Sequence, residues 1–246
     1  MKKLKIKTAG GPDGIPPIFL KHCINELCGP LTSLFELSFE YSYLPPEWSM
    51  GYVTPIFKKG ARTDPRNYRP IVLTCSLCKL MESVIKDQLV SYFHTNNFFT
   101  NHQHAFLVHH STTTNLLECT FDWSLSLQSS FATDVVYIDF ARAFDSIVFA
   151  KLLFKLELYG ISGNLLKWIS GFISNRIQCV VLENMFSNVC TVLSGVPQGS
   201  VLGPILFIIF INDIVNVCEG STRSLLFTFS VRNIYSLIWV CMSLFY

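Results

Sequence analysis

The chain has 246 residues, half of them apolar and only 15% charged, where an ordinary soluble domain carries about 25% charge. Such length gives one large domain or two small ones with room for a core, and such composition excludes a disordered chain. Nineteen Lys and Arg against seventeen Asp and Glu leave a net charge of +2, too balanced for a general polyanion binder. The charge is nevertheless clustered: Lys58, Lys59, Arg62, Arg66 and Arg69 stand near Asp64 alone, and residues 1–7 hold four lysines. Clusters of this kind either face phosphates or decorate a solvated loop.

The longest uncharged apolar runs, near Leu202–Asn212 and Ile234–Tyr246, fall short of the ~18–20 residues a spanning helix needs. The N-terminus has charges but no apolar stretch of the kind a signal peptide carries. The sequence therefore reads as intracellular, nuclear or cytoplasmic, with no membrane partner. Nine cysteines, an odd and scattered set, suggest reduced thiols. Cys75 with Cys78, or Cys23 with Cys28, could pair on zinc with His102, His104, His109 or His110. Small buried hydrophobes are the better reading, because no second Cys-x-x-Cys exists.

In chain order, residues 18–43 show helical spacing through Leu27, Leu31, Leu34, Phe35 and Leu37, with Pro30 suited to an early helical position. Leu44-Pro45-Pro46 stops that helix. Residues 52–57 are strand-like, and Pro55 predicts an edge strand. Residues 58–70 read as a polar loop. Residues 79–93 form a helix with Leu80, Val84, Ile85, Leu89 and Tyr92 on one face. Residues 94–114 are polar, and 115–127 helical. Residues 134–140 alternate as a strand. Helices follow over 149–159, with Gly160 at C′, and over 165–173. Residues 176–182 and 188–193 read as a hairpin, 194–199 as a loop, Ser200 as an N-cap, and 201–215 as a helix. The expected class is α+β: strand 134–140 and the 176–193 hairpin in one antiparallel sheet, with helices 149–159 and 201–215 on one face.

Two local features could carry chemistry. Asp139 ends an apolar strand in Val136-Tyr-Ile-Asp139-Phe-Ala-Arg-Ala-Phe144-Asp145. A carboxylate there either holds a divalent cation, as phosphoryl transfer requires, or caps the next turn. Ser194-Gly-Val-Pro-Gln-Gly-Ser200 is a glycine-flanked loop entering a helix. Its backbone N–H groups could approach a sugar-phosphate, or it could be a plain turn.

These segments, with others upstream, resemble the reverse transcriptase domain of non-LTR (LINE-like) retrotransposons. The ordered matches are Gly11-Pro-Asp-Gly-Ile-Pro16, Ile56-Phe-Lys-Lys-Gly60, Asn67-Tyr-Arg-Pro-Ile71, Lys79-Leu-Met-Glu82, His104-Ala-Phe-Leu before Ser111-Thr112, then Asp139–Asp145 and Gly195–Ser200 with Leu202-Gly-Pro204. The resemblance implies the fingers and part of the palm of a right-hand polymerase, with fingers over 1–130 and palm over 131–246, truncated at both ends and lacking a thumb. It implies RNA template, DNA primer and deoxynucleoside triphosphates as partners, and Mg²⁺ as cofactor. Asp139 would be the catalytic metal ligand, with the Phe140 carbonyl beside it. Phe144 would be the steric gate against a ribose 2′-OH. Gln198 and Gly199 would line the nucleotide pocket, and Asp139, Phe144 and Gln198 would share one cleft. Arg69, with Lys58 and Lys59, would sit near triphosphate or template.

The departures are specific. The family's aromatic-Ala-Asp-Asp turn aligns its two aspartates on Phe229 and Ser230, and no Asp or Glu follows Glu219. A two-metal site needs several carboxylates, so this copy is expected to be catalytically impaired unless Asp145 or Asp213 substitutes. Leu107 replaces the arginine of the usual Gly-Phe-Arg. The rivals are a catalytically dead nucleic-acid-binding fragment and a pseudogene product without function.

Overall fold

The structure is a computed structural model that describes residues 10–130, 142–214, 222–224 and 241–243. In chain order it contains α1 (Pro17–His22), α2 (Ile24–Glu40), α3 (Pro46–Ser49), β1 (Met50–Phe57), β2 (Tyr68–Leu73), α4 (Ser76–Thr95), α5 (Thr112–Gln128), α6 (Phe149–Leu158), α7 (Gly163–Ser174), β3 (Ile177–Leu182), β4 (Met185–Phe186), β5 (Cys190–Thr191), α8 (Gly203–Ile211), β6 (Thr222–Ser224) and β7 (Cys241–Ser243). The chain divides into two compact units of two segments each: Met1–Leu89 with Phe144–Leu206, and Val90–Ala143 with Phe207–Tyr246.

The first unit holds a sheet in the order β2-β1-β3-β4, with β5 also on β3. The expected class of mixed helix and sheet is present. The described sheet is mixed, however, where an antiparallel one was expected: β1 pairs with β2, and β3 with β4 and β5, antiparallel, while β1 and β3 run parallel over Met50–Val53 and Ile177–Val180. A parallel pairing joins segments that need a long crossover and leaves no turn signal between them. Strand 134–140 lies outside the described residues.

Pro55 illustrates the local rules. Its strand is central at Met50–Val53 but among the described residues has only β2 as neighbour further on, so within them the half that contains the proline lies at an edge. Pro55 faces Pro70 across the ladder. Two residues without N–H can sit opposite each other where N–H groups point away from the partner strand. The Val72 N–H confirms that phase: two residues from Pro70, it turns outward and donates to the Gln198 carbonyl at 2.9 Å.

The first unit's helices bury Leu20, Leu31 and Leu80 in one cluster. On α7, Trp168, Ile169, Phe172 and Ile173 form a fully buried stripe. The Trp168 indole N–H donates to the Ser38 hydroxyl at 3.0 Å, meeting the partner requirement of a buried indole. The helix expected over 18–43 is two helices broken at Cys23, so Pro30 lies inside α2 and not in an early turn. In the second unit, Phe93, Phe98 and Phe99 pack ring to ring, and Asn212 donates to the Phe98 carbonyl at 2.7 Å while accepting the Thr100 N–H at 3.1 Å. No helix among the described residues is long and apolar enough to cross a membrane.

Candidate functional site

The Ser194–Ser200 loop is held by residues distant in sequence. Gly195 N–H donates to the Ile147 carbonyl at 2.8 Å and Val196 N–H to the Phe144 carbonyl at 2.9 Å. The Ser194 hydroxyl donates to the Asp145 carbonyl at 2.8 Å, and the Gln198 side-chain amide donates to Asp145 Oδ1 at 2.9 Å. Two glycines are required by these contacts. A Cβ on Gly195 would lie 2.6 Å from Asp145 Cα, at φ +87°, and one on Gly199 would lie 2.3 Å from the Val72 carbonyl oxygen, at φ +124°. Both positions combine a left-handed backbone with direct backbone contact, which only glycine accepts.

The loop's exit is braced from below. Val201 and Leu202 N–H groups donate to Glu82 Oε2 at 2.6 and 2.9 Å. Glu82 is wholly buried. Burial pushes its carboxyl up from the ordinary value, while the Leu202 and Val201 N–H groups, Arg176 and the Cys78 thiol pull it back. α8 begins at Gly203, two residues after the expected Val201. The Ser200 hydroxyl accepts from Gly203 N–H at 2.9 Å, the capping role its type suggested. Arg176 is likewise buried; desolvation lowers its pKa, and its guanidinium lies over the Phe172 ring at 5.3 Å and donates to the Trp48 carbonyl at 3.4 Å.

A cavity of about 360 Å³ opens where loop and sheet meet, lined among others by Val53, Pro70, Val72, Asp145, Arg176, Gln178 and Gln198. Phe144 joins this site through its carbonyl, and Gly199 through its backbone against Val72. Arg69 does not line the cavity: Pro70 and Val72 do, and strand alternation puts Arg69 on the other face of β2. Lys58 and Lys59 are exposed in the β1–β2 connection. Asp139, Phe140, Phe229 and Ser230 lie outside the described residues. Among the described residues, no three His, Cys, Asp or Glu side chains stand together as a metal site.

The Cys75 thiol donates to Asp13 Oδ2 at 2.7 Å, and burial pushes its pKa up to about 12. Burial also raises that of Cys78. Both stay protonated, as packing groups do, and neither is in a disulfide. The Asp13 contact also seats the Gly11–Pro16 turn on the start of α4, where a Cβ on Gly11 would lie 2.4 Å from the Thr74 carbonyl oxygen. Sequence reasoning missed Glu82 and Arg176 as site supports. The signal was available for Glu82: it shares a helical face with Ile85 and Leu89, and a carboxylate on an apolar stripe must find donors.

Residues 56–234 match the family Reverse transcriptase (RNA-dependent DNA polymerase), and the chain belongs to it. Among its relatives are the probable RNA-directed DNA polymerase from transposon BS of Drosophila melanogaster, 28% identical over 87% of this chain and 24% of that protein, and the RNA-directed DNA polymerase from mobile element jockey of Drosophila funebris, 28% identical over 88% and 24%. The chain thus spans about a quarter of the length of the curated relatives it matches. The non-LTR retrotransposon origin implied by the motifs is the one these relatives share. A fold likeness to apo telomerase from Candida tropicalis, truncated from its C-terminal domain, has a TM-score of 0.49 at 13% identity over 77% of this chain and 43% of that chain.

Proposed function

We propose that this chain binds deoxynucleoside triphosphates and an RNA template with a DNA primer in the manner of its family, and that it does not extend the primer. The observation that carries the binding half is the docking of the Gly195–Ser200 loop onto Phe144–Asp145, which seats Gln198 in the cavity beside Asp145. Gln198 and Gly199 are then the nucleotide-pocket residues, with Phe144 as steric gate. Arg69, Lys58 and Lys59 supply positive charge from the β1–β2 hairpin. Asp139 and the Phe140 carbonyl are the proposed Mg²⁺ ligands; the metal, when bound, would neutralise charge developing on the transferred phosphate.

The loss of catalysis follows from Phe229 and Ser230 standing where the family has two aspartates. Removing one preorganised electrostatic group typically costs ~10²–10³ in rate, and two are absent here. Primer extension on an RNA template, with Mg²⁺ or Mn²⁺, tests this beside a nucleotide-binding titration. The expected result is binding without extension. Robust incorporation by the unmodified chain overturns the inactive reading and requires another carboxylate, Asp145 or Asp213, as ligand.

A further inference from the structure

We infer that Asp145 is a positioning residue, which fixes the amide of Gln198 so that its carbonyl Oε1 is turned away from Asp145 and stands as a hydrogen-bond acceptor in the cavity; this rests on the nucleotide-pocket reading of Gln198. An amide side chain can usually be flipped without a change in shape. Here the partner removes the ambiguity, because an ionised carboxylate only accepts. The 2.9 Å contact at Asp145 Oδ1 must therefore come from Gln198 Nε2, and Oε1 takes the opposite prong of the fork.

Asp145 is itself placed independently of Gln198. Its carbonyl accepts the Ser194 hydroxyl, and the bare Cα of Gly195 lies against its backbone. Gln198 is held at its other end as well, since its own carbonyl accepts the Val72 N–H. A residue tied at backbone and side chain presents one geometry to whatever enters the cavity, and little rotamer freedom is left to lose on binding. Asp145 touches no reacting atom in this arrangement; it acts through Gln198. The same bond engages the carboxylate Oδ1 that would otherwise be free to serve as a metal ligand.

Chain labelled with ¹⁵N at glutamine reports the arrangement directly, with the Gln198 signal identified by its loss in Gln198→Ala. In the unmodified chain the Gln198 side-chain protons should exchange with water about tenfold or more slowly than a free amide, as a charge-assisted bond implies. Asp145→Asn keeps the shape but lets two amides pair either way round, and should speed exchange towards the free value. Ser194→Ala loosens the loop without touching the carboxylate and should leave the signal in place. Free-amide exchange in the unmodified chain, or an unchanged signal in Asp145→Asn, overturns the inference. Deoxynucleotide titrations then use the same proteins. Gln198→Ala should weaken binding by about tenfold, Asp145→Asn by less, and the double variant by no more than Gln198→Ala alone; additive losses overturn the positioning role. If the unmodified chain binds no nucleotide, the pocket reading fails, and the exchange measurement still decides the Asp145–Gln198 bond.

Discussion

Two connections of the first unit, the uncharged Ser194–Ser200 loop and the densely charged Lys58–Asn67 loop, are built by opposite means. The first is held from residues scattered along the chain: Val72, Glu82, Phe144, Asp145 and Ile147. The second closes on itself. Lys58 N–H donates to the Asn67 carbonyl, the Asn67 amide to the Ala61 carbonyl, the Tyr68 hydroxyl to the Arg62 carbonyl, and Arg66 pairs with Asp64. A loop built from distant partners has one conformation for as long as the fold stands, and each partner is a point of failure. A self-closed loop with exposed cations tolerates substitution and keeps its charges in water. The first construction suits a pocket wall, and the second suits contact with a flexible polyanion.

The largest effect that separates the two loops should come from Glu82. Glu82→Ala leaves the Val201 and Leu202 N–H groups buried without their acceptor and removes a carboxylate whose charge acts on the buried Arg176. Breaking a buried charge arrangement of this kind costs ~3–5 kcal/mol, read as a fall in the urea midpoint or as failure to fold. A variant as stable as the parent would show that the brace beneath the loop carries no weight.

Gly199→Ala should follow. The new Cβ meets a backbone oxygen of β2 that cannot swing aside, at a φ that L side chains rarely adopt. Backbone strain of that order is worth ~1–3 kcal/mol, and its relief would pull Gln198 from Val72. A thermal melt unchanged from the parent would contradict the close approach of loop and strand.

A smaller effect is a pH dependence specific to Glu82. Burial raises its folded-state pKa above 4.5, the ordinary value retained when unfolded. The folded chain therefore holds this proton more tightly. The corresponding stability is present in full below the ordinary carboxylate range and is lost as pH rises through the raised folded value. Between neutral pH and the ordinary range, the parent should gain stability relative to Glu82→Gln as the solution is acidified. Parallel urea midpoints for the two proteins across that range would remove the assignment.

The sequence was most legible where order is local. Helices α4, α6 and α7 lie within a few residues of their expected bounds, because an apolar stripe and a stop such as Gly160 are written within one segment. The Ser200 cap was read for the same reason. β2 was missed, since its first residues fall in the polar 58–70 stretch and its order comes from pairing with β1, where Pro70 faces Pro55. The parallel contact of β1 with β3 joins positions more than 120 residues apart and has no local signature. The candidate site divides along the same line. Its motifs named Gln198, Gly199 and Phe144, but the roles of Glu82 and Asp145 exist only through contacts 119 and 53 residues away in sequence.

The smallest expected effect on stability belongs to the Lys58–Asn67 loop, and there the informative measurement is binding. Lys58 and Lys59 are exposed, and neither takes part in an ion pair found among the described residues. Lys58→Ala with Lys59→Ala should leave the melting temperature where it was, since exposed charges on a self-closed loop hold little together. If these lysines meet phosphates of a single-stranded template, each releases condensed counterions on binding. The slope of log affinity against log salt should then become shallower by about 1.4 for the pair, at ~0.7 per phosphate on single strands. The loss should be nearly independent of base sequence, because phosphate contacts carry no sequence information. An unchanged slope would leave the hairpin as a solvated loop and would move the template path elsewhere. A fall in melting temperature would instead erase the contrast between the two loops.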